Sequence, residues 1–210
     1  AKARDAKTES DPAFASPTTP DTAAPSPSSP VSRALAALLR NLERNSAARG
    51  LFRGAPDDAR AASALARAAT RAEDVEAAAR DATPGVAAEL VKLVLRGLAL
   101  PVIPANMHAA CLASEASPQG VTRALAPLPD THRAALAATV RAAAAAAAAD
   151  AFGAPASGEA ARAAEAIAAE LAPCLMFPAA ASGEDRDERG RAVFVTRLIR
   201  VMLARAPTES

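Results

Sequence analysis

At 210 residues and a formal net charge of +1, the chain has room for one domain and a tail. It exerts no strong pull toward nucleic acid or an anionic membrane surface. Alanine fills 64 positions and the aromatics are five Phe with no Tyr or Trp, so the composition predicts an all-α fold with a Leu, Val and Ala core and closely packed helices.

Residues 1–30, with "SPTTPDTAAPSPSSP" at their centre, cannot bury enough apolar area to offset their ordering entropy and are expected to be a disordered linker. Phosphorylation at the Ser-Pro and Thr-Pro pairs is the alternative use of this segment. The start has no apolar signal core and no Met, so the chain reads as a piece of a longer cytoplasmic protein. From Val31, the stripe Val31, Leu35, Leu38, Leu39 and Leu42 predicts a helix that stops near Asn45-Ser46. Asp57-Asp58 after Pro56 suits a helix start, because acids favour the positive end of the dipole. Helices are expected near 57–70, 73–80 and 86–98, the last burying Val86, Leu90, Val91, Val94, Leu95 and Leu98. "LALPVIP", Leu98–Pro104, must end it, since its prolines deny backbone donors. Further helices are expected over 105–115, 130–151 and 158–174, "RAAAAAAAAD" (141–150) included. "AAASGEDRDERG" reads as a solvated loop. A final helix near 190–205 buries Phe194, Leu198, Val201 and Met202 and turns its arginines to water.

Few residues offer chemistry. His108 and His132 are the only histidines, and neither sits near a Cys or another His, so no metal and no cofactor is expected. Cys111 and Cys174 have apolar neighbours and no paired spacing; two reduced, buried thiols are expected. No GxSxG, Walker loop or GxGxxG is present, and no stretch reaches the roughly 18 apolar residues of a membrane span. What remains is Arg53, which directly follows Leu51-Phe52 and runs into Gly54-Ala55-Pro56, together with Lys92 and Arg96 one helical turn apart. Lys92 is the only lysine after Lys7 in a chain that otherwise uses arginine. The bland reading of Lys92 is a solvated helix face with a Glu89–Lys92 pair.

"LLRNLERNSAARGLFR" (Leu38–Arg53), followed by "ELVKLVLRGLALPVIP" (Glu89–Pro104), resembles the GTPase-activating domain for Rho-family GTPases, the RhoGAP domain. "LPDTHRAALAATV" (Leu128–Val140) is similar to that family's Leu-Pro-x-x-His segment, and "LAPCLM" (Leu171–Met176) to its Phe-Gly-Pro-x-Leu-Leu. The resemblance covers about residues 31–205, in order. It implies a helical RhoGAP-like domain over 31–206, a GTP-bound Rho-family small GTPase as partner, and a role in signal transduction. It also implies that Arg53 is the arginine finger, and that Lys92 and Arg96 support the partner-binding face and the loop bearing Arg53. An arginine supplied in trans neutralises charge on the transferring phosphoryl group and is worth roughly 10³–10⁵ in rate, and its planar fork is why lysine substitutes poorly.

The chain departs from the family pattern in several places. Ala166 stands where the family often has a partner-contacting Asn, and the Asn-Lys-Met segment is replaced around "GAPASGEAAR". Gly54-Ala55-Pro56 follows the finger where the family has Ser-Gly, and Leu98-Ala99-Leu100-Pro101 replaces Leu-Pro-x-Pro. Two functions are therefore expected to compete: a GTPase activator without a reaction centre of its own, and a catalytically weak or inactive interaction module of the same fold.

Overall fold

Thr83 and Ser117 show how this sequence starts its helices. Each hydroxyl accepts from a backbone N–H three residues on, Val86 at 3.4 Å and Gly120 at 3.0 Å, and each is followed by a proline at the first helical position. The computed structural model describes residues 30–68, 72–115, 117–151, 157–177 and 184–205, so the expected linker lies outside the described residues apart from Pro30. Among the described residues every regular element is helical: α1 (Pro30–Arg44), α2 (Pro56–Ala68), α3 (Ala72–Asp81), α4 (Pro84–Arg96), a 3₁₀ turn (Ala105–Met107), α5 (His108–Ala113), α6 (Pro118–Leu125), α7 (Asp130–Asp150), α8 (Gly158–Leu175) and α9 (Glu184–Leu203). The all-α expectation holds.

Two groups of helices share one core. α1 packs on α3 and α4, and α2 packs on α4; α7, α8 and α9 pack on one another; α1 against α7 and α4 against α8 join the groups. Leu38, Leu95, Ile167, Leu171 and Phe194 are fully buried where these helices meet, with Ala143, Ala147, Ala164 and Ala168 beside them. Small side chains at those positions let the axes approach. The Leu98–Pro104 segment is tied down by both histidines. His132 Nδ1 donates to the Val102 carbonyl and His108 Nε2 to the Ile103 carbonyl, each at 3.1 Å. Ile103 N in turn donates to Leu175 O at 3.0 Å.

Several boundaries differ from the sequence expectation. α4 begins at Pro84 itself, because a proline at the first helical position lacks only a donor that would be unpaired anyway. α6 was not expected. Its Gly120 lets the backbone approach Glu115, whose carbonyl would lie 2.8 Å from a Cβ there. α8 runs through Pro173, as expected, and ends one residue later than expected, at Leu175. α9 starts at Glu184, inside the segment expected to be a loop. Its core face is Phe194, Val195, Leu198 and Ile199, with Val201 and Met202 only half-buried; Arg191 is buried rather than turned to water. Val31 is exposed, so the α1 stripe starts at Leu35. Both cysteines are free and buried as expected, and burial pushes the Cys111 thiol up to about 11.

Candidate functional site

The residues between α1 and α2 make a loop tied down at several points. Asn45 closes α1, its Nδ2 donating to the Asn41 carbonyl at 2.9 Å. Asn41 itself is buried and donates to the Ala79 and Ala82 carbonyls at 2.9 and 3.0 Å, fixing α1 against the end of α3. Gly50, Phe52 and Gly54 then take left-handed backbone conformations, with φ of 73°, 64° and 72°. For Phe52 that conformation is unfavourable by roughly 1–2 kcal/mol. Its ring is 1% exposed and Leu51 is 3% exposed, so burial of the pair holds the turn in place.

This geometry puts Arg53 at the protein surface directly after two core residues. Its side chain is 48% exposed, and Nη2 lies 2.8 Å from Asp150 Oδ2, whose side chain is 5% exposed. The contact is an ion pair through one nitrogen, without the aligned two-donor fork of a bidentate pair. The other oxygen, Oδ1, accepts from Gly50 N at 2.7 Å. One carboxylate at the end of α7 therefore touches both the start of the turn and the side chain that the turn presents.

The far end of the loop lies near α8, whose Glu170 reaches α4 in turn. A Cβ at Gly54 would meet Glu170 Oε2 at 3.4 Å. The same Oε2 accepts from Lys92 Nζ at 3.0 Å, and Lys92 Nζ lies 2.7 Å from Glu89 Oε1. Lys92 does not sit on a solvated face. Its side chain is 4% exposed and Glu89 is 11% exposed, while Glu170 at 41% opens to water. The expected Glu89–Lys92 pair exists, but it is internal. Arg96, one turn further along α4, is exposed and lies beside Cys174. Burial raises that thiol, and the neighbouring Arg96 and Lys92 charges pull against the rise.

Arg53 and Asp150 line an open pocket of about 340 Å³ with Glu159, Arg162, Ala163 and Ala166 of α8. Ala166, the position singled out for its missing Asn, thus stands on the wall facing the arginine. Asp150, Glu170 and Arg162 escaped the sequence reading as site residues. A signal for Asp150 was present: a carboxylate at the C-terminal end of an alanine helix opposes the dipole and calls for a partner. A larger open groove of about 540 Å³ lies between α1 and α7. It is mostly apolar, and its Glu43 and Arg141 face each other at 3.9 Å, so it offers no converging unpaired chemistry. Among the described residues no group of His, Cys, Asp or Glu is arranged to hold a metal ion, and no helix is long and apolar enough to cross a membrane.

No family model and no curated protein matches this chain by sequence. By structure it is similar to the BH domain from GRAF, the GTPase regulator associated with focal adhesion kinase. The TM-score is 0.59 at 16% identity, over 83% of this chain and 93% of that one. At that identity the likeness is one of fold.

Proposed function

From a divergent RhoGAP-like fold as the premise, we propose that the chain is a GTPase-activating module of Rho signalling that supplies Arg53 to a GTP-bound Rho-family GTPase. One observation carries the proposal: an arginine held at the surface by two buried neighbours in a turn with three left-handed residues. Such a turn fixes the backbone that presents the side chain, so less backbone freedom has to be lost on insertion. A guanidinium so presented acts on charge that exists mainly in the transition state. We assign Lys92 to support of that loop, through Glu170 against Gly54, and exposed Arg96 to the partner face. The proposed module spans 31–206, preceded by a linker, and works in the cytoplasm.

The second reading, an interaction module of the same fold with little activity, draws on Ala166. Its methyl group offers no hydrogen bond to a partner, and it lines the arginine's own pocket. The deciding experiment is single-turnover GTP hydrolysis by a panel of Rho-type GTPases, with and without this chain. Stimulation that disappears in Arg53→Ala while binding persists supports the activator. Binding without stimulation supports the interaction module. An Arg53→Ala variant as active as wild type would remove the basis of the proposed mechanism.

A further inference from the structure

We infer that Asp150 is a positioning residue for Arg53 whose two oxygens have different roles, one fixing the loop and the other restraining the finger's charge. The inference rests on the reading of Arg53 as a finger, although one arm of its test does not. Oδ1 accepts the Gly50 N–H at 2.7 Å and pins the start of the turn to the end of α7. Oδ2 stands 2.8 Å from Arg53 Nη2 without an aligned hydrogen bond. A strong arginine–carboxylate pair is bidentate, with two parallel N–H donors. Here a single guanidinium nitrogen faces the carboxylate, and the other donors are left for another anion.

The carboxylate has few groups to offset its charge besides Gly50 N and Arg53. It is 5% exposed, so water solvates it little, and it closes a helix of 21 residues whose terminal carbonyls oppose it. Such a group attracts the nearest cation, and Arg53 is in contact with it. For its charge to act fully on a phosphoryl group, Arg53 has to exchange Asp150 Oδ2 for the oxygens of the partner's nucleotide. The exchange involves only the side chain, because the Gly50–Oδ1 bond holds the backbone turn in either state. Asp150 therefore lowers the reach of the finger's charge and at the same time keeps its base in register. An amide in its place keeps an oxygen for Gly50 and turns a donor toward Arg53, which releases the tether without releasing the loop.

Asp150→Asn and Asp150→Ala separate the two roles. With a responsive GTPase, Asp150→Asn should raise the maximal rate of stimulated hydrolysis by about fivefold, the scale of one half-exposed ion pair, with little change in half-saturation. Asp150→Ala should lower it, because the loop anchor goes too. Equal losses in both variants, or no gain in Asp150→Asn, would overturn the restraining role. If no GTPase responds, the activator reading fails first, and chemistry on the free protein decides the tether. Phenylglyoxal, which modifies accessible guanidinium groups, should label Arg53 several-fold faster in folded Asp150→Asn than in wild type, scored by peptide mass. Equal labelling rates with unchanged thermal stability would sink the tether outright.

Discussion

Phe52 is the residue on which the candidate site turns. A left-handed phenylalanine is disfavoured on its own, and it persists because its ring fills the core while the next residue is forced outward. Truncating it, Phe52→Ala, should cost about 3 kcal/mol in urea unfolding and release Arg53 from its fixed pose. Gly54 is the other sensitive position. Its φ of 72° strains any side chain there, although Glu170 leaves room for a methyl group, so Gly54→Ala should cost about 1 kcal/mol or more. An alanine there as stable as wild type would show that the turn is softer than its backbone angles imply. Under the proposed function, Arg53→Lys should restore little of the stimulation lost in Arg53→Ala, because an ammonium has no planar fork. At Cys111 the same scale yields a pH effect. Its thiol is raised from the ordinary 9.0 to about 11 in the folded state, so the unfolded chain loses this proton first. Its contribution is fully present below pH 9.0 and is lost as pH rises toward 11. Cys111→Ala should flatten that part of the stability profile measured by denaturant titration.

Helix α4 carries its charges in a way that spacing along the chain does not reveal. Glu89 and Lys92 fall on the side of the helix that α8 covers, and Glu170 completes the arrangement from the opposite wall. Removing one partner of a buried pair leaves the others uncompensated. Lys92→Met should therefore destabilise the fold by about 3 kcal/mol, somewhat less if water reaches Glu89 through the open side at Glu170. Arg96→Gln, on the exposed face, should stay within about 0.5 kcal/mol. The double change Lys92→Met with Glu89→Gln should recover part of the loss, since no buried unpaired charge is then left on α4. Thermal unfolding of the set separates these cases, and equal costs for Lys92→Met and Arg96→Gln would return Lys92 to the surface reading. Glu170, the carboxylate partner of Lys92, lies near the loop bearing Arg53, so under the proposed function any stimulation by Lys92→Met should fall along with its melting temperature.

At the scale of the whole molecule, alanine sets the distances between helices. Ala143 and Ala147 of α7 and Ala164 and Ala168 of α8 are fully buried where the C-terminal helices pack. Filling such a position, as in Ala147→Leu, should cost about 1–3 kcal/mol by pushing α7 from its neighbours. Because Asp150 ends α7, the displacement should also disturb the Gly50–Asp150 bond. Loss of stimulated hydrolysis in Ala147→Leu at a temperature where it remains folded would reveal that coupling. Unaltered activity would mean that α7 and the loop adjust independently.

What the chain determines by itself is the helical class, most helix starts, the buried cysteines and the location of an arginine just after two core residues. These follow from local causes: alanine content, 3.6-residue stripes, capping side chains, prolines and glycines. The resemblance also marked Arg53 and Ala166, and the fold lines one pocket with both. What only the tertiary structure decides is which charges are solvated. Lys92 lies opposite Glu170, 78 residues later, and Gly50 meets Asp150 after 100 residues. The helix start at Glu184 was missed for a more local reason: acidic residues favour a helix N-terminus as readily as a loop. Periodicity places a residue on one side of its own helix and says nothing of what covers that side. The environment of a charge is set by its neighbours in space, and for Arg53 and Lys92 those neighbours come from α7 and α8.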